Sequence, residues 1–154
     1  ASGYFTPSAV YAKLCVLERH GKNGNIAVAP LKGYGITGGA VATSVAHDSH
    51  NIITAGDNDR DLTLAINHIR EIGGGYAVAR GGSITGSLPL RVAGLMSDET
   101  CEAVENMTQA ILAEAGKLHI ANGIEPFVSL SFMALPVIPT LRLTDKGLID
   151  LFTP

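Results

Sequence analysis

The sequence predicts an α+β domain: a mixed, mostly antiparallel sheet carrying two main helices. Three observations support this class. Short β-compatible runs recur between turns rich in glycine and asparagine. Two longer segments instead space their apolar residues at the helical repeat: Leu62, Ala65, Ile66, Ile69, Ile72, and then Val104, Met107, Ile111, Ala115, Leu118. Connections such as Arg80-Gly81-Gly82-Ser83 are tight enough to close β-hairpins.

The first twelve residues match no pattern and are left unplaced, so the domain is taken as residues 13–154, although the first strand is read from Tyr11 to Glu18. The glycine and asparagine turn at 19–25 leads into a second strand from Ile26, expected to pair with the first as a hairpin. Gly33 to Gly39 holds too much glycine for a regular element and reads as bends at a sheet corner, or as a place where another chain or a ligand approaches the backbone. Ala40 to Ala46 and Ile52 to Gly56 read as strands. Between Asp57 and Asp61 the alternating acids resemble the start of a calcium loop, but Leu62 and His68 stand where that loop requires glycine and glutamate. The stretch is instead a helix start, capped by Asn58 or Asp59, with Asp61 favouring the positive end of the dipole. Gly73-Gly74-Gly75 ends this helix, and His68 falls on its solvated side. Tyr76 to Ala79 and Ile84 to Leu90 form a hairpin. Ser97 is expected to cap the second helix, with Asp98 and Glu99 in its first turn. Residues 123–139 are the most hydrophobic stretch and hold too many prolines for a central strand, which suggests a buried extended or short helical segment covered by a neighbour. A short strand, a turn at Asp145-Lys146-Gly147 and an apolar tail close the chain.

Composition narrows the function. Charged residues make up 16% of the 154, against about 25% in a typical soluble domain. Either much of the surface is covered by something else, or the chain is part of a larger protein. A net charge of −3 offers no electrostatic footprint for nucleic acid or an anionic membrane surface. No apolar run is long enough to span a bilayer, and no signal peptide opens the chain. Cys15 and Cys101 both fall in segments that read as core, and are expected to be reduced thiols of a cytoplasmic protein.

The densest group of reactive side chains is His47-Asp48-Ser49-His50-Asn51, set between two strands where functional residues commonly lie. On one regular strand His47 and His50 would point to opposite faces, so they converge only if the backbone turns between them. Three readings stay open. The imidazoles could be metal ligands oriented by Asp48, although a catalytic zinc site usually takes three protein ligands. One histidine could act as acid or base on a substrate. Or the polar groups could satisfy one another and the turn backbone. Arg19 and His20 form a second, weaker candidate.

Four blocks then resemble the C-terminal domain of bacterial adenine deaminase, in the amidohydrolase superfamily: Val16-Leu17-Glu18-Arg19-His20; Ala42 through Ile53; Pro89-Leu90-Arg91-Val92-Ala93-Gly94-Leu95-Met96-Ser97-Asp98; and Leu130 through Pro139 with Leu143 through Leu148. The resemblance implies hydrolysis of adenine to hypoxanthine and ammonia by a (β/α)8 barrel holding a divalent metal, whether manganese, iron or zinc. The barrel's hallmark His-x-His pair is absent from the five histidines here, and 154 residues fall short of the roughly 250 that a barrel takes. The resemblance therefore implies a domain without the metal site, needing no cofactor itself and inactive alone. Its expected partners are the barrel domain and further copies in a homo-oligomer, and residues 47–51 are expected to face the adenine pocket; Arg19 and His20 are either a weaker second candidate there or anchors of the cluster by salt bridge and hydrogen bond. Two rival expectations remain: a non-catalytic oligomerisation module, and a free-standing metal-dependent hydrolase built on His47, Asp48 and His50.

Overall fold

The computed structural model describes residues 11–150. The unplaced segment lies outside the described residues except for Tyr11 and Ala12, which open the first strand. The elements run β1 (Tyr11–Leu17), β2 (Ile26–Lys32), β3 (Ala40–Thr43), β4 (Ile52–Gly56), α1 (Asp59–Glu71), β5 (Gly75–Arg80), β6 (Ser83–Pro89), α2 (Cys101–Gly116), α3 (Val128–Met133), β7 (Leu141–Thr144) and β8 (Gly147–Asp150). The first six strands form one sheet in the order β2-β1-β4-β3-β5-β6, and β7 with β8 makes a separate hairpin. Every described pairing is antiparallel. This is the expected α+β class, with α1 and α2 as its two main helices.

Helices cover both faces of the sheet, which explains the composition of its central strands. On one face Leu62, Ala65 and Ile69 of α1 pack on Ala40, Ala42, Ile52, Ala77 and Ala79. On the other, Ile111 and Ala115 of α2, Leu118 and Leu130 meet Leu14, Val16, Val41, Ile53 and Val78. β3 and β4 are buried along their whole length, so they show no alternation of apolar and polar residues. Edge strand β2 does alternate, leaving Ile26 and Val28 exposed, and it tolerates Pro30 because an edge position has no neighbour requiring its missing N–H.

The acidic run that resembles a calcium loop is structural throughout. Asp57 accepts from the N–H groups of Gly38 and Gly39 at 2.6 and 3.0 Å. Asn58 is the helix cap, its side chain accepting from the Asp61 N–H at 2.8 Å. Asp59 pairs with Lys13. Asp61 is only 3% exposed, and its carboxylate accepts from the Gly82 and Gly81 N–H groups at 2.7 and 3.2 Å, tying the β5–β6 turn to the start of α1.

Several expectations change. Thr100, not Ser97, caps α2. Ser97 Oγ instead accepts from the Glu99 N–H in a tight turn, and Asp98 and Glu99 stand before the helix, where they pair with Arg91 at 3.2 and 3.3 Å. Cys101 opens α2 and is exposed, whereas Cys15 is buried; Cys101 lies in the first turn of the helix, whose buried residues, Ile111 and Ala115, come later. His68 is half-buried and hydrogen-bonded to Ser87 Oγ at 2.7 Å, because β6 passes beside α1. The final tail is β8, which returns along β7. Gly33 to Gly39 crosses the end of the sheet with Tyr34 as its anchor, buried and donating its hydroxyl to the Pro126 carbonyl. The hydrophobic 123–139 stretch does form a short helix, α3. It buries Leu130 and Ser131 but leaves Val128 and Phe132 exposed, with Val137 exposed beyond it.

Two outcomes follow from this packing. Asp61→Ala strips two backbone donors of their acceptor and is expected to cost about 1–3 kcal/mol in urea denaturation. Burial pushes the Cys15 thiol up to about 11, so a thiol reagent at mildly alkaline pH is expected to modify Cys101 rapidly, and Cys15 only after unfolding.

Candidate functional site

Residues 44–51 leave β3, make one tight turn and enter β4. At the entry, buried Ser44 donates to the Gly94 carbonyl at 2.6 Å and accepts from the Gly75 N–H at 2.8 Å. The turn closes with the His50 N–H donating to the Ala46 carbonyl at 2.6 Å. This is the backbone reversal that convergence of the two histidines requires: the His47 and His50 rings lie edge to face with centroids 5.8 Å apart. His50 has φ of 50°, a left-handed conformation that a residue with a side chain adopts only when its surroundings enforce it.

Those surroundings come from three directions. At the end of β1, Arg19 Nε donates to the His50 carbonyl and Arg19 Nη2 to the Ala93 carbonyl at 2.8 Å. Ala93 also has positive φ, 57°, so one guanidinium holds the carbonyls of two left-handed residues. It lies against Gly94, where an added Cβ would come within 2.8 Å of Arg19 Nη1. His20 Nε2 donates to the next carbonyl along the loop, that of Ser49, at 2.8 Å. From α3, the Ser131 carbonyl accepts from the His47 N–H at 3.1 Å, and the Phe132 ring lies 5.3 Å from the His47 ring. From the β7–β8 turn, Asp145 Oδ1 accepts from Asn51 Nδ2 at 3.1 Å.

The loop therefore presents its side chains from a fixed backbone. Asp48 and Ser49 are exposed and line a cavity of about 450 Å³, with Ala134, Pro136, Thr144, Asp145, Lys146 and Ile149 as the other walls. A larger groove of about 640 Å³ runs beside β2 and contains none of residues 47–51. His50 Nδ1 accepts from the Ala46 N–H at 3.3 Å, so the neutral ring carries its proton on Nε2 and presents a donor there. Burial, with the neighbouring His47 and Arg19, holds its pKa below the ordinary 6.5, against the opposing pull of Asp48. In this tautomer His50 is a hydrogen-bond donor at neutral pH.

The metal reading lacks ligands: among the described residues no group of three or more His, Cys, Asp or Glu side chains is placed to hold an ion. Arg19 and His20 act as the anchor of the loop, through carbonyls. No carboxylate pairs with Arg19 among the described residues.

Residues 1–153 match the family model described as adenine deaminase C-terminal domain. The chain belongs to the adenine deaminase C-terminal domain family. It is 53% identical over 154 residues to an adenine deaminase of Nitratidesulfovibrio vulgaris (strain DP4), covering 99% of this chain and 27% of that protein. It is 47% identical over 150 residues to the adenine deaminase of Halalkalibacterium halodurans and 47% over 154 to that of Listeria monocytogenes serovar 1/2a, covering 26% and 27% of those proteins. The chain thus spans about a quarter of the length of the curated relatives it matches.

Sequence reasoning missed Ser131, Phe132, Asp145 and Lys146. Asp145 reads only as a turn former, and nothing local announces a partner 94 residues away. The site predicts a pH response of definite sign. The His50 imidazole is expected to titrate below 6.5 by NMR, and its contribution to stability is fully present above that pH and is lost as pH falls through the lower native value. A midpoint above 6.5 would mean that Asp48 governs the ring.

Proposed function

We propose that this chain is the C-terminal domain of an adenine deaminase, packing on a barrel catalytic domain so that residues 47–51 line and help close the adenine pocket. The observation that carries this reading is the loop itself: Arg19, His20, Ser131 and Asp145 hold it from three directions, while Asp48 and Ser49 remain exposed at a cavity mouth. Pre-organised polar groups on a rigid scaffold are what recognition of a nitrogen heterocycle requires. The reaction is adenine plus water giving hypoxanthine plus ammonia. Adenine offers an exocyclic amine as donor and ring nitrogens as acceptors. Asp48 accepts, Ser49 does either, and His50 Nε2–H donates. A divalent metal (manganese, iron or zinc) belongs in the barrel and would supply activated water there; among the described residues of this chain no group of three or more ligating side chains gathers, and alone the chain is inactive.

The packing reading draws on exposed Val128, Phe132 and Val137 beside the loop, and on the low charge of the chain. Among the described residues no helix is long and apolar enough to cross a membrane. We place the protein in the cytoplasm, where free thiols such as Cys15 and Cys101 are usual. A second reading, a non-catalytic oligomerisation module, is favoured by Ile26 and Val28, exposed on edge strand β2. A homo-oligomer is compatible with either.

Replacement of His50 by Ala in the full-length enzyme separates the two. The pocket reading expects kcat/KM to fall about tenfold or more, the loss of about 1.4 kcal/mol of transition-state binding, with a much smaller loss of stability, since the Ala46 N–H loses its acceptor, and with oligomeric state unchanged. Unchanged turnover in a correctly assembled variant, or a loss of activity matched by an equal loss of stability, would defeat it.

A further inference from the structure

The β7–β8 turn is held beside the loop by its own anchor, since Leu143 is 3% exposed and buried in the main core. That placement brings Asp145 against Asn51. Asn51 is 2% exposed and its carboxamide has one polar contact, the Nδ2 donation to Asp145 Oδ1 at 3.1 Å. A carboxylate accepts and the amide nitrogen donates, so this contact sets which way the carboxamide faces. Its oxygen is left buried without a partner. A buried amide with a single bond depends heavily on that bond for its orientation. Asp145 lines the 450 Å³ cavity together with Asp48 and Ser49, so the Asn51–Asp145 bond ties the two segments that wall it.

We propose that Asp145 is a positioning residue of the site: acting through Asn51, it sets the seat of the 47–51 loop and hence the spacing of Asp48 and Ser49 across the cavity. This rests on the reading that the loop contacts adenine. The competing role is mechanical, with the bond only pinning the terminal hairpin to the domain.

The test uses full-length enzyme with His50→Ala as reference, reading kcat/KM and the urea midpoint for Asp145→Ala, Asp145→Asn and the double variant Asn51→Leu/Asp145→Ala. Asp145→Ala is expected to lower kcat/KM at least tenfold and to lower the midpoint. Asp145→Asn keeps an acceptor oxygen for Asn51 and is expected to stay within about threefold of wild type. The double variant removes both polar partners and is expected to recover the midpoint without recovering activity. Recovery of activity together with stability in the double variant overturns the proposal, because the bond is then mechanical. Equal defects in Asp145→Asn and Asp145→Ala overturn it as well, because the hydrogen bond is then not the operative feature. An impaired His50→Ala beside a wild-type-like Asp145→Ala defeats this inference alone. A wild-type-like His50→Ala defeats the underlying reading and this inference with it.

Discussion

The guanidinium of Arg19 joins three separate segments of the domain at the polar loop. Arg19 sits at the end of β1, half-buried, and donates to the carbonyls of His50 and Ala93. Both residues have positive φ, a conformation that costs free energy for any residue with a Cβ. Arginine suits this position because its planar fork makes two directed bonds at once, whereas the ammonium of lysine is a point donor. The fork needs a surface to lie on, and Gly94 provides it, since any side chain there would meet the guanidinium. The Val16–His20 block, the loop block and the Pro89–Asp98 block, far apart in the chain, thus meet at one group. Their contact gives a physical reason for the three to appear together.

The sheet makes that meeting possible. Its central strands β3 and β4 carry small and β-branched residues because helices cover both faces and no side chain there reaches water. Polar groups inside are used for connection. Thr54 donates to the Val41 carbonyl, Ser44 joins Gly94 to Gly75, and Asp61 ties the β5–β6 turn to α1. The loop then leaves a rigid pair of strands, so its side chains can be held in place without a long supporting insertion. Part of the exposed apolar surface, at Val128, Phe132 and Val137, lies on the segment that contacts His47. Phe132 is thus both exposed and in contact with the polar loop, while other exposed apolar residues, Ile26 and Val28 among them, lie on β2.

Periodicity and turn chemistry were enough to read β1 to β6, α1 and the existence of α2, because those elements are specified by residues close in sequence. The start of α2 was misread because Ser97 is a plausible cap by residue type. The Ser97–Glu99 turn and the pairing of Asp98 and Glu99 with Arg91 show that the chain is still turning there. Cys101 was read as core from its apolar segment alone and is exposed. The loop itself was legible as a cluster of reactive groups, and the requirement for a backbone turn between His47 and His50 followed from strand geometry.

The sequence by itself determined the fold class, the place of the polar loop between two buried strands, and the family to which the chain belongs. Those properties depend on local pattern and on long ordered blocks of residues. Tertiary structure alone decided what the loop is: a turn held by Arg19, His20, Ser131 and Asp145, with His50 fixed as an Nε2 donor by the Ala46 N–H. The physical reason is that each of these bonds depends on distance in space. The contact between Asn51 and Asp145 exists because a hairpin buried through Leu143 comes to rest beside the entry of β4. No residue type or spacing encodes that distance.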